Sequence, residues 1–469
     1  MYRRILLLGM TACLCGCLHP RKYEQVQLPV PAAWPESATV KPNAAAEASG
    51  ADTPWREFFR DEHLRSLIEL TLANNRDLRM AALNVERVQA LYRIQRAEQL
   101  PSVNASAAAD LYRLPKSMTV AGFAVPQSVT VEQYTVNPVA VSWELDLFGR
   151  VRSLKSAALE RFLATEQSRA ATQIALVAAV ADSYFALAAD REKLRLAQAT
   201  LDAQQSTYEL IRRTCEAGMA SDLDLRQAES QLEAARADIA RYTAQVALDE
   251  NAINLLVGTT VSADLLPGEL GSELALKDID AGVHSEVLLR RPDILMAEHQ
   301  LKAAYANIGA ARAAFFPRIA LTAAAGLMSS DLSDLFRYGA RTWSFVPKAS
   351  IPIFDAGARQ ANLKVAEVDR NLAVAEYEKA IQSAFREVSD ALALRSRLLE
   401  QQRAQEALVR SLEEAFRLAE ARYRSGIDSY LSVLVAQRSL YAAQQGLVSL
   451  RQARLSNLVT LYKVLGGGA

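Results

Sequence analysis

The chain has 469 residues with 53 basic and 53 acidic side chains, and it is 51% hydrophobic and 7% aromatic. The zero net charge argues against a nucleic-acid-binding protein, and a mean hydropathy of +0.00 excludes a polytopic helical membrane protein. Four cysteines are too few for a disulfide scaffold, so composition alone indicates a soluble, helical protein of about two to four domains.

The N-terminus has the pattern of a lipoprotein signal peptide. In residues 1–16, two arginines precede an apolar stretch, and small residues follow it. The segment Leu14-Cys-Gly-Cys17 resembles a bacterial lipobox, although Cys15 stands where Ala, Ser or Thr is usual. We therefore expect Cys17 to carry a covalent lipid, and no cofactor is predicted. Lipidation of Cys13 is a weaker alternative, and a metal site formed by the three cysteines is the competing interpretation.

Residues 17–54 are predicted to form a lipidated, extended tether, because they are rich in Pro, Ala and Glu. Leu18 follows the anchor, and only aspartate at this place strongly favours inner-membrane retention in enteric-type sorting. The expected location is therefore the outer membrane, with the protein extending into the periplasm. One acyl chain holds a protein weakly, so a second contact with outer membrane lipid is expected. Ordered structure is expected to begin near Trp55.

An internal duplication organises the rest of the chain. Two sets of residues recur at constant offsets: Asp77, Arg96 and Pro101 match Asp293, Arg312 and Pro317 at 216, and Gly149, Gly218 and Gly258 match Gly357, Gly426 and Gly466 at 208. The change of offset indicates a loop of variable length within the segment 101–149. We predict repeat 1 at 55–258, a linker at 259–291 and repeat 2 at 292–469.

Each repeat opens with a helical segment, Leu64–Gln99 or Pro292–Phe315, that ends before a proline. The hydrophobic period then becomes two, which predicts strands near 102–113, 135–147, 318–328 and 342–354, with hairpin loops near Leu114–Val131 and Ser329–Arg341. About ten alternating residues are typical of a transmembrane barrel strand; a half-exposed soluble sheet is the alternative. Four strands cannot close a barrel, so several chains must share one, and three copies would supply twelve strands.

A long helix follows each strand pair, because neither 151–217 nor 358–425 contains glycine or proline. At ~1.5 Å per residue, each is a rod of about 100 Å. Apolar residues recur every seven positions in the first rod, which indicates a seam against neighbouring helices rather than a membrane span. Each rod stops at a glycine turn. Gly218 and Gly426 are expected as left-handed caps, and Ser221, or Asp428 and Ser429, as N-caps of the return helices 222–257 and 430–465.

Seven segments resemble the outer membrane factor family, the TolC- and OprM-like (NodT-type) lipoproteins of bacterial efflux systems. They are Ser142-Trp-Glu-Leu-Asp-Leu-Phe-Gly149, Arg290-Arg-Pro-Asp-Ile294, Gly309-Ala-Ala-Arg-Ala-Ala-Phe-Phe-Pro-Arg-Ile319, Ile351-Pro-Ile-Phe-Asp355, Ala421-Arg-Tyr-Arg-Ser-Gly426, Ala436-Gln-Arg-Ser-Leu440 and Tyr462-Lys-Val-Leu-Gly-Gly467. The resemblance implies a homotrimer with a twelve-stranded outer membrane β-barrel, continued by a long α-helical coiled-coil periplasmic barrel. The linker at 259–291 would lie in its equatorial belt.

The resemblance also implies site residues. The family's tip motif, which docks to a periplasmic adaptor protein, matches Ala217-Gly218-Met219 and Ser425-Gly426-Ile427; the glycines also serve as helix caps. The pore constriction matches Leu431, Val435 and Arg438, with Asp428 one turn nearer the tip as a further source of carboxylates. Drug-efflux relatives often have Asp where this chain has Val435, so an apolar constriction is expected. Arg422 and Tyr423 are candidates for locking neighbouring helices in the closed state, or they lie on a solvated face.

These features predict a passive duct that exports drugs or other small toxic compounds for an inner-membrane transporter of the RND type. The sequence has no Walker loop or nucleophile elbow, and its four histidines lack metal-ligand spacing, so no catalytic or metal-binding residue is predicted. A duct of the same fold for protein secretion or metal-ion efflux is an alternative. Another is a structural coiled-coil lipoprotein without a pore. A periplasmic adaptor is the third alternative, but it would need a β-rich lipoyl-like domain beside the helical hairpin, and the sequence shows none.

Overall fold

The computed structural model describes residues 29–31, 34, 53–116, 119–120, 123–124, 127–270, 276–277 and 285–467. Cys17, the predicted signal peptide and most of the predicted tether lie outside these residues. The chain divides into two compact units, and each takes segments from both repeats. Of these described residues, the first unit contains those within 85–165 and 297–377, and the second contains those within 27–84, 166–296 and 378–469.

The described helices and strands are, in chain order, α1 (Trp55–Phe58), α2 (Glu62–Asn74), α3 (Arg76–Ala97), β1 (Ser102–Leu114), β2 (Thr119–Val120), β3 (Phe123–Ala124), β4 (Val129–Leu145), α4 (Arg150–Glu216), α5 (Asp222–Val257), α6 (Pro292–Ala313), β5 (Arg318–Ser329), β6 (Arg341–Ser350), α7 (Ala358–Arg424) and α8 (Tyr430–Val464). Short 3₁₀ turns lie at Ala263–Leu265 and Ser285–Arg290 in the predicted linker, and at Leu332–Asp334 and Tyr338–Ala340 between β5 and β6. Strand β4 begins at Val129, six residues before its predicted start at 135.

The first unit contains an antiparallel sheet of four strands in the order β1-β4-β5-β6, and β2 pairs with β3 as a separate ribbon. Its two faces differ in chemistry. Trp143 on β4 lies opposite Leu321, and Ala323 lies opposite both Val141 and Phe345, so these side chains share one face. We call this the apolar face. The alternate residues, among them Ser142, Glu144, Thr322, Ser344 and Lys348, form the polar face.

A β-bulge at Asn137–Pro138 interrupts the alternation in β4. The register of β4 shifts by one residue against both neighbouring strands, between Val136 and Val139 against β5 and between Asn137 and Ala140 against β1. Pro138 has no N–H to donate to a ladder, and an extra residue in one strand is how a sheet accommodates that loss. On the C-terminal side of the bulge, the odd-numbered residues of β4 lie on the apolar face. On its N-terminal side, the even-numbered residues do, among them Glu132 and Tyr134. The simple period-two pattern did not predict this change.

The second unit is helical, and its first helical segment differs from the prediction. A single helix over Leu64–Gln99 is wrong, because α2 ends and α3 begins at Asn75, whose backbone is extended (φ −60°, ψ 133°). The Asn75 side-chain oxygen accepts a hydrogen bond from the Leu78 N–H (2.8 Å), and its amide donates to the Leu256 carbonyl (2.7 Å). Asparagine ends one helix here because its side chain replaces the backbone partners that the next helix lacks.

An aromatic cluster forms part of the core of the second unit. The ring of Phe58 stacks on Tyr462 at 4.2 Å between centroids, and Phe59 meets Tyr462 edge-on. The Tyr462 hydroxyl lies within hydrogen-bond distance of the carbonyls of Gly467 (2.7 Å) and Thr53 (3.0 Å) and shares its single proton between them. With the ring contacts, these bonds hold α1 and the residues beside it against the C-terminal turn.

The predicted long helices are present without interruption, and α4 and α7 each span 67 residues. Val180 and Leu187, two members of the seven-residue repeat, are fully buried. Helix α4 also contains an 18-residue window that is long and apolar enough to cross a membrane, with a mean hydropathy of 1.5. Half of that window is buried inside the protein.

Candidate functional site

The turns that join α4 to α5 and α7 to α8, which we call tip 1 and tip 2, share one backbone motif. Gly218 and Gly426 have φ values of +72° and +70°. In tip 1 the Gly218 N–H donates to Cys215 and the Met219 N–H to Thr214; tip 2 repeats both bonds. This is a Schellman motif, which satisfies the last carbonyls of a helix and needs a left-handed residue. The predicted glycine caps are therefore confirmed at both tips.

The six residues of the predicted adaptor-docking motif are all exposed in the described structure. Met219 is 77% exposed and Ile427 is 63% exposed, so each tip presents one large apolar side chain beside its glycine. A Cβ added to Gly218 or Gly426 would meet nothing within 4 Å. Both tips thus present small, accessible surfaces with space above the backbone.

The two tips differ in how the return helix begins. At tip 1 the Ser221 hydroxyl accepts from the Asp224 N–H (3.1 Å), and Asp224 accepts from the Ser221 N–H, which forms a capping box. At tip 2 Ser429 is the N-cap residue, but its side chain makes no capping hydrogen bond. The predicted side-chain capping is confirmed for Ser221 and wrong for Ser429.

Asp428 does not act as a cap because Arg422 engages both of its oxygens, at 2.6 and 3.1 Å. This hydrogen-bonded pair holds the pKa of Asp428 below its ordinary value. Arg422 therefore bridges the tip 2 turn within its own chain, and the carboxylate considered for the pore has an intramolecular partner. The role of Arg422 in locking neighbouring helices stays a prediction.

A small core lies behind the tips and joins the two helical hairpins. Its buried members come from α4, α5 and α8: Ile211, Ala228, Tyr430, Val433 and Leu434. Tyr423, the second predicted lock residue, is half-buried against this core, with its ring 5.7 Å from that of Tyr430. Burial raises the pKa of Tyr430 to about 12, and its hydroxyl has no hydrogen-bond partner among the described residues.

The predicted constriction residues lie on one face of α8. Leu431 is 51% exposed, Val435 is 56% exposed, and Arg438 is also exposed. Their spacing of four and three residues places them in a row along the helix. Val433 and Leu434, on the other side of α8, are buried in the core behind the tips. The row therefore faces away from the core behind the tips and is exposed on the surface of the single chain.

Sequence patterns did not predict the polar tie between the two return helices. The Tyr441 hydroxyl donates to Asp238 at 3.0 Å, and Arg241 pairs with the same carboxylate at 2.9 Å. Burial and the Asp238 carboxylate together raise the pKa of Tyr441. The partners are 203 residues apart in the chain, and no local pattern marks either of them.

The Arg-Arg-Pro-Asp motif centres on a buried cation. Arg291 is 8% exposed and donates to Asp293 (2.7 Å), Glu387 (2.8 Å) and the Val464 carbonyl (2.8 Å). These bonds connect the start of α6 to α7 and to the end of α8. The motif carries part of the family resemblance, but the role of Arg291 depends on residues about 100 and 170 positions away.

Asp182 on α4 is a second buried charge in this unit. Burial raises its pKa, despite a hydrogen bond from Ser456 and the charge of Lys463. One of its carboxylate oxygens has no partner among the described residues. Within the same described part of the chain, no three His, Cys, Asp or Glu side chains are grouped as ligands for a metal ion.

Comparison with known proteins identifies the family. A model of outer membrane efflux proteins matches residues 67–259 and 283–467, which is most of the chain. The chain belongs to the outer membrane efflux protein family. It is 47% identical over 470 residues to the toluene efflux pump outer membrane protein TtgC of Pseudomonas putida, covering 100% of this chain and 96% of TtgC.

Two further similarities support the assignment. The antibiotic efflux pump outer membrane protein ArpC of Pseudomonas putida is 47% identical, again over 100% of this chain and 96% of ArpC. The open-state crystal structure of the Neisseria gonorrhoeae outer membrane channel MtrE superposes with a TM-score of 0.85 at 37% identity, over 96% of this chain and 98% of that one.

These similarities confirm the predicted family, fold class, function and location. This outer membrane efflux protein is a channel of the trimeric type, in which each chain contributes four strands to a shared barrel and long helices to a periplasmic conduit. It is located in the outer membrane and is a component of an efflux pump.

Proposed function

We propose that this outer membrane efflux protein is the passive exit duct of a tripartite pump for antibiotics and organic solvents. The observation that carries the proposal is its 47% identity, over its whole length, to proteins named for antibiotic and toluene efflux. An adaptor and an inner-membrane transporter of the RND type supply the other parts. The duct itself catalyses no reaction, and the transporter provides the energy.

Drug and solvent susceptibility tests this proposal. A strain that lacks its own channels of this family would express the protein with its cognate adaptor and transporter. The expected result is higher tolerance to both antibiotics and toluene than with the transporter and adaptor alone. Equal tolerance with and without the channel, at confirmed outer membrane expression, would contradict the proposal.

We further propose that tips 1 and 2 dock to the adaptor. Their exposed glycine turns, each beside a large apolar side chain, support this role. Gly426→Ala and Gly426→Trp separate docking from capping, because both place an L-residue at φ +70° at a cost of about 1–2 kcal/mol, while only tryptophan adds bulk. If docking matters, Trp abolishes tolerance and Ala largely retains it. If the two variants have equal effects, Gly426 acts only as a helix cap and does not contact the adaptor.

For the closed state, we propose an apolar constriction formed by Leu431 and Val435 from each copy, with Arg438 beside them. Their exposure on one face of α8 supports this arrangement. Leu431→Ala and Val435→Ala should raise single-channel conductance in planar bilayers, because each removes side-chain volume three times around the pore. The matched control is Leu223→Ala, since Leu223 is the counterpart of Leu431 at tip 1 and is 66% exposed. If neither α8 variant exceeds this control, the constriction lies elsewhere.

The lipid anchor on Cys17 is also a proposal, supported by the lipobox-like sequence. Metabolic labelling with an alkyne fatty acid should mark the wild-type protein and not Cys17→Ala. Labelling that persists in Cys17→Ala and disappears in Cys13→Ala would move the anchor to Cys13.

A further inference from the structure

The apolar face of the sheet carries charge at one end only. Among its described residues, the charged ones are Arg113, Glu132 and Arg341. All three lie near the hairpin-loop end, where β1 and β5 end and β4 and β6 begin. We call this end the outer rim, because the opposite ends of the strands lead directly into the helices of the periplasmic conduit.

The distance from the outer rim to the other end of the sheet is close to the thickness of the apolar part of an outer membrane. On β5 the apolar face runs from Ile319 to Leu327, and Leu327 pairs with Arg341. Eight residues at about 3.3 Å each, tilted by about 40°, span about 20 Å, close to the ~25 Å apolar band of an outer membrane barrel. Arg341 thus lies where acyl chains give way to headgroups, a depth at which arginine places its stem in lipid and its charge among polar groups.

Barrel closure places the edge strands that carry Arg341 and Arg113 next to each other. Strands β1 and β6 are the edges of the four-stranded sheet. A barrel closed by three copies has no edges, so β6 of one copy pairs with β1 of the next, about 4.8 Å away. Both arginines lie on the apolar face and at the outer rim. Each junction between copies therefore presents two guanidinium groups to the lipid.

The contacts within one chain leave these cations able to bind an anion. The Arg341 guanidinium lies over the Tyr338 ring at 4.8 Å, which leaves its N–H edges able to donate. Arg113 donates to the Ser128 hydroxyl at 3.0 Å. Among the described residues neither forms an ion pair. Glu132, the one acidic residue among the described residues of the apolar face, accepts from the Tyr134 hydroxyl at 3.4 Å. On this face the two cations therefore outnumber the carboxylates.

We propose that each junction binds a phosphate group of lipid A, the phosphorylated glycolipid of the outer leaflet, through Arg341 of one copy and Arg113 of the next. Guanidinium groups bind phosphate oxygens through paired, charge-assisted hydrogen bonds. Trp343 and Phe345 continue below Arg341 on the same face and are exposed, which provides an apolar surface for acyl chains. A lipid matches this combination of cations above an apolar surface, whereas a free phosphate uses only the cations.

The opposite end of the apolar face supports the choice of leaflet. Trp143 lies there, and its indole N–H donates to the Gln99 carbonyl at 3.0 Å. No arginine or lysine lies at that end among the described residues of the face. Among the described residues of the apolar face, the cations are therefore confined to the outer-rim end, on the side of the leaflet that contains phosphorylated glycolipid.

Native mass spectrometry of the delipidated, purified trimer tests the proposal, with bisphosphorylated lipid A and its dephosphorylated form as the two probes. The variants are the double substitutions Arg113→Gln/Arg341→Gln and Arg113→Lys/Arg341→Lys. Arg337→Gln is the matched control, because Arg337 is in the same β5–β6 loop but pairs with Asp334 at 2.9 Å. Circular dichroism and trimer mass establish that each variant is assembled.

The wild type should bind up to three molecules of bisphosphorylated lipid A and bind the dephosphorylated form at least tenfold more weakly. The double glutamine variant should lose at least tenfold in affinity, about the effect of one charge-assisted hydrogen bond. The lysine variant should retain most of the affinity and Arg337→Gln all of it. If the double glutamine variant does not assemble, Arg341→Gln alone should lose about tenfold.

Three results would overturn the proposal: unchanged affinity in the assembled glutamine variants, equal binding of the dephosphorylated lipid, or displacement of lipid A by a tenfold excess of inorganic phosphate. The last result would indicate a simple anion site with no contribution from the apolar surface.

Discussion

The β-bulge at Asn137–Pro138 makes a sharp prediction about Gly326 on the adjacent strand. A Cβ at Gly326 would collide with the Val136 carbonyl oxygen, and it would lie 2.6 Å from the Asn137 side-chain oxygen and 2.8 Å from the Asn137 Cα. The Asn137 side chain can rotate away. The carbonyl and the Cα are backbone atoms of β4, which is paired on both sides by β1 and β5, so they cannot.

The cost of Gly326→Ala follows from these distances. Separating the new Cβ from the Asn137 backbone alone, from 2.8 Å to an ordinary distance of about 3.4 Å, requires a shift of about 0.6 Å, and the carbonyl requires more. Insertion of one methyl group into a packed site costs about 1–3 kcal/mol. Because the opposing atoms are backbone, we expect the upper end, about 3 kcal/mol, which changes a folding equilibrium about a hundredfold.

Thermal unfolding of the purified trimer, followed by β-sheet circular dichroism, measures this effect. Gly339→Ala is the matched control, because Gly339 lies in the β5–β6 loop of the same sheet and a Cβ there meets nothing within 4 Å. Gly326→Ala should lower the midpoint by several degrees or prevent trimer assembly, and Gly339→Ala should match the wild type. A wild-type midpoint and yield for Gly326→Ala would refute the claim that the bulge requires glycine opposite it.

Three further predictions use matched pairs or pH. Ser221→Ala should destabilise tip 1 by about 1 kcal/mol in local hydrogen exchange, while Ser429→Ala should leave tip 2 unchanged, because only Ser221 caps its helix. Arg291→Met should lower the free energy of unfolding, measured by thermal unfolding, by about 2 kcal/mol. This is less than the 3–5 kcal/mol for breaking a fully buried pair, because the two carboxylate partners are 41% exposed and recruit water. Arg195→Met is the control, because Arg195 is 65% exposed. Burial raises the folded-state pKa of Asp182 above 3.8, so its ionised form destabilises the protein. Asp182→Asn should therefore melt higher than the wild type at pH 7, and the two should converge as the pH falls toward 3.8; a gap that persists at low pH would contradict this.

Local patterns along the chain were sufficient for the main elements. Strand alternation such as Val141-Ser-Trp143, the absence of helix breakers between residues 151 and 217, and glycines at 218 and 426 each reflect a short-range requirement of the backbone. Each rule concerns residues within one or two turns of each other. That is why the strands, the rods and the tips were predicted close to their observed positions.

Other features depended on partners far apart in the sequence. Asn75 ends a helix because its amide reaches the Leu256 carbonyl, and Arg291 is buried because Glu387 and Val464 accept its hydrogen bonds. A short-range pair also prevented an expected cap: Asp428 binds Arg422 instead of capping α8, because a charged donor competes with a backbone N–H for the same carboxylate.

The neutral, moderately apolar composition therefore only argued against other protein classes, such as nucleic-acid-binding proteins and disulfide scaffolds. The hydrophobic period, the positions of glycine and proline, and the internal duplication determined the types of the elements and the repeat. The tertiary structure alone decided which face of β4 carries Glu132, where Arg341 lies relative to the apolar band, and which side of α8 leaves Val435 exposed. The physical reason is that a bulge, a strand register and a buried helix face are settled by packing and hydrogen bonding between segments distant in sequence, and no single segment encodes its partner.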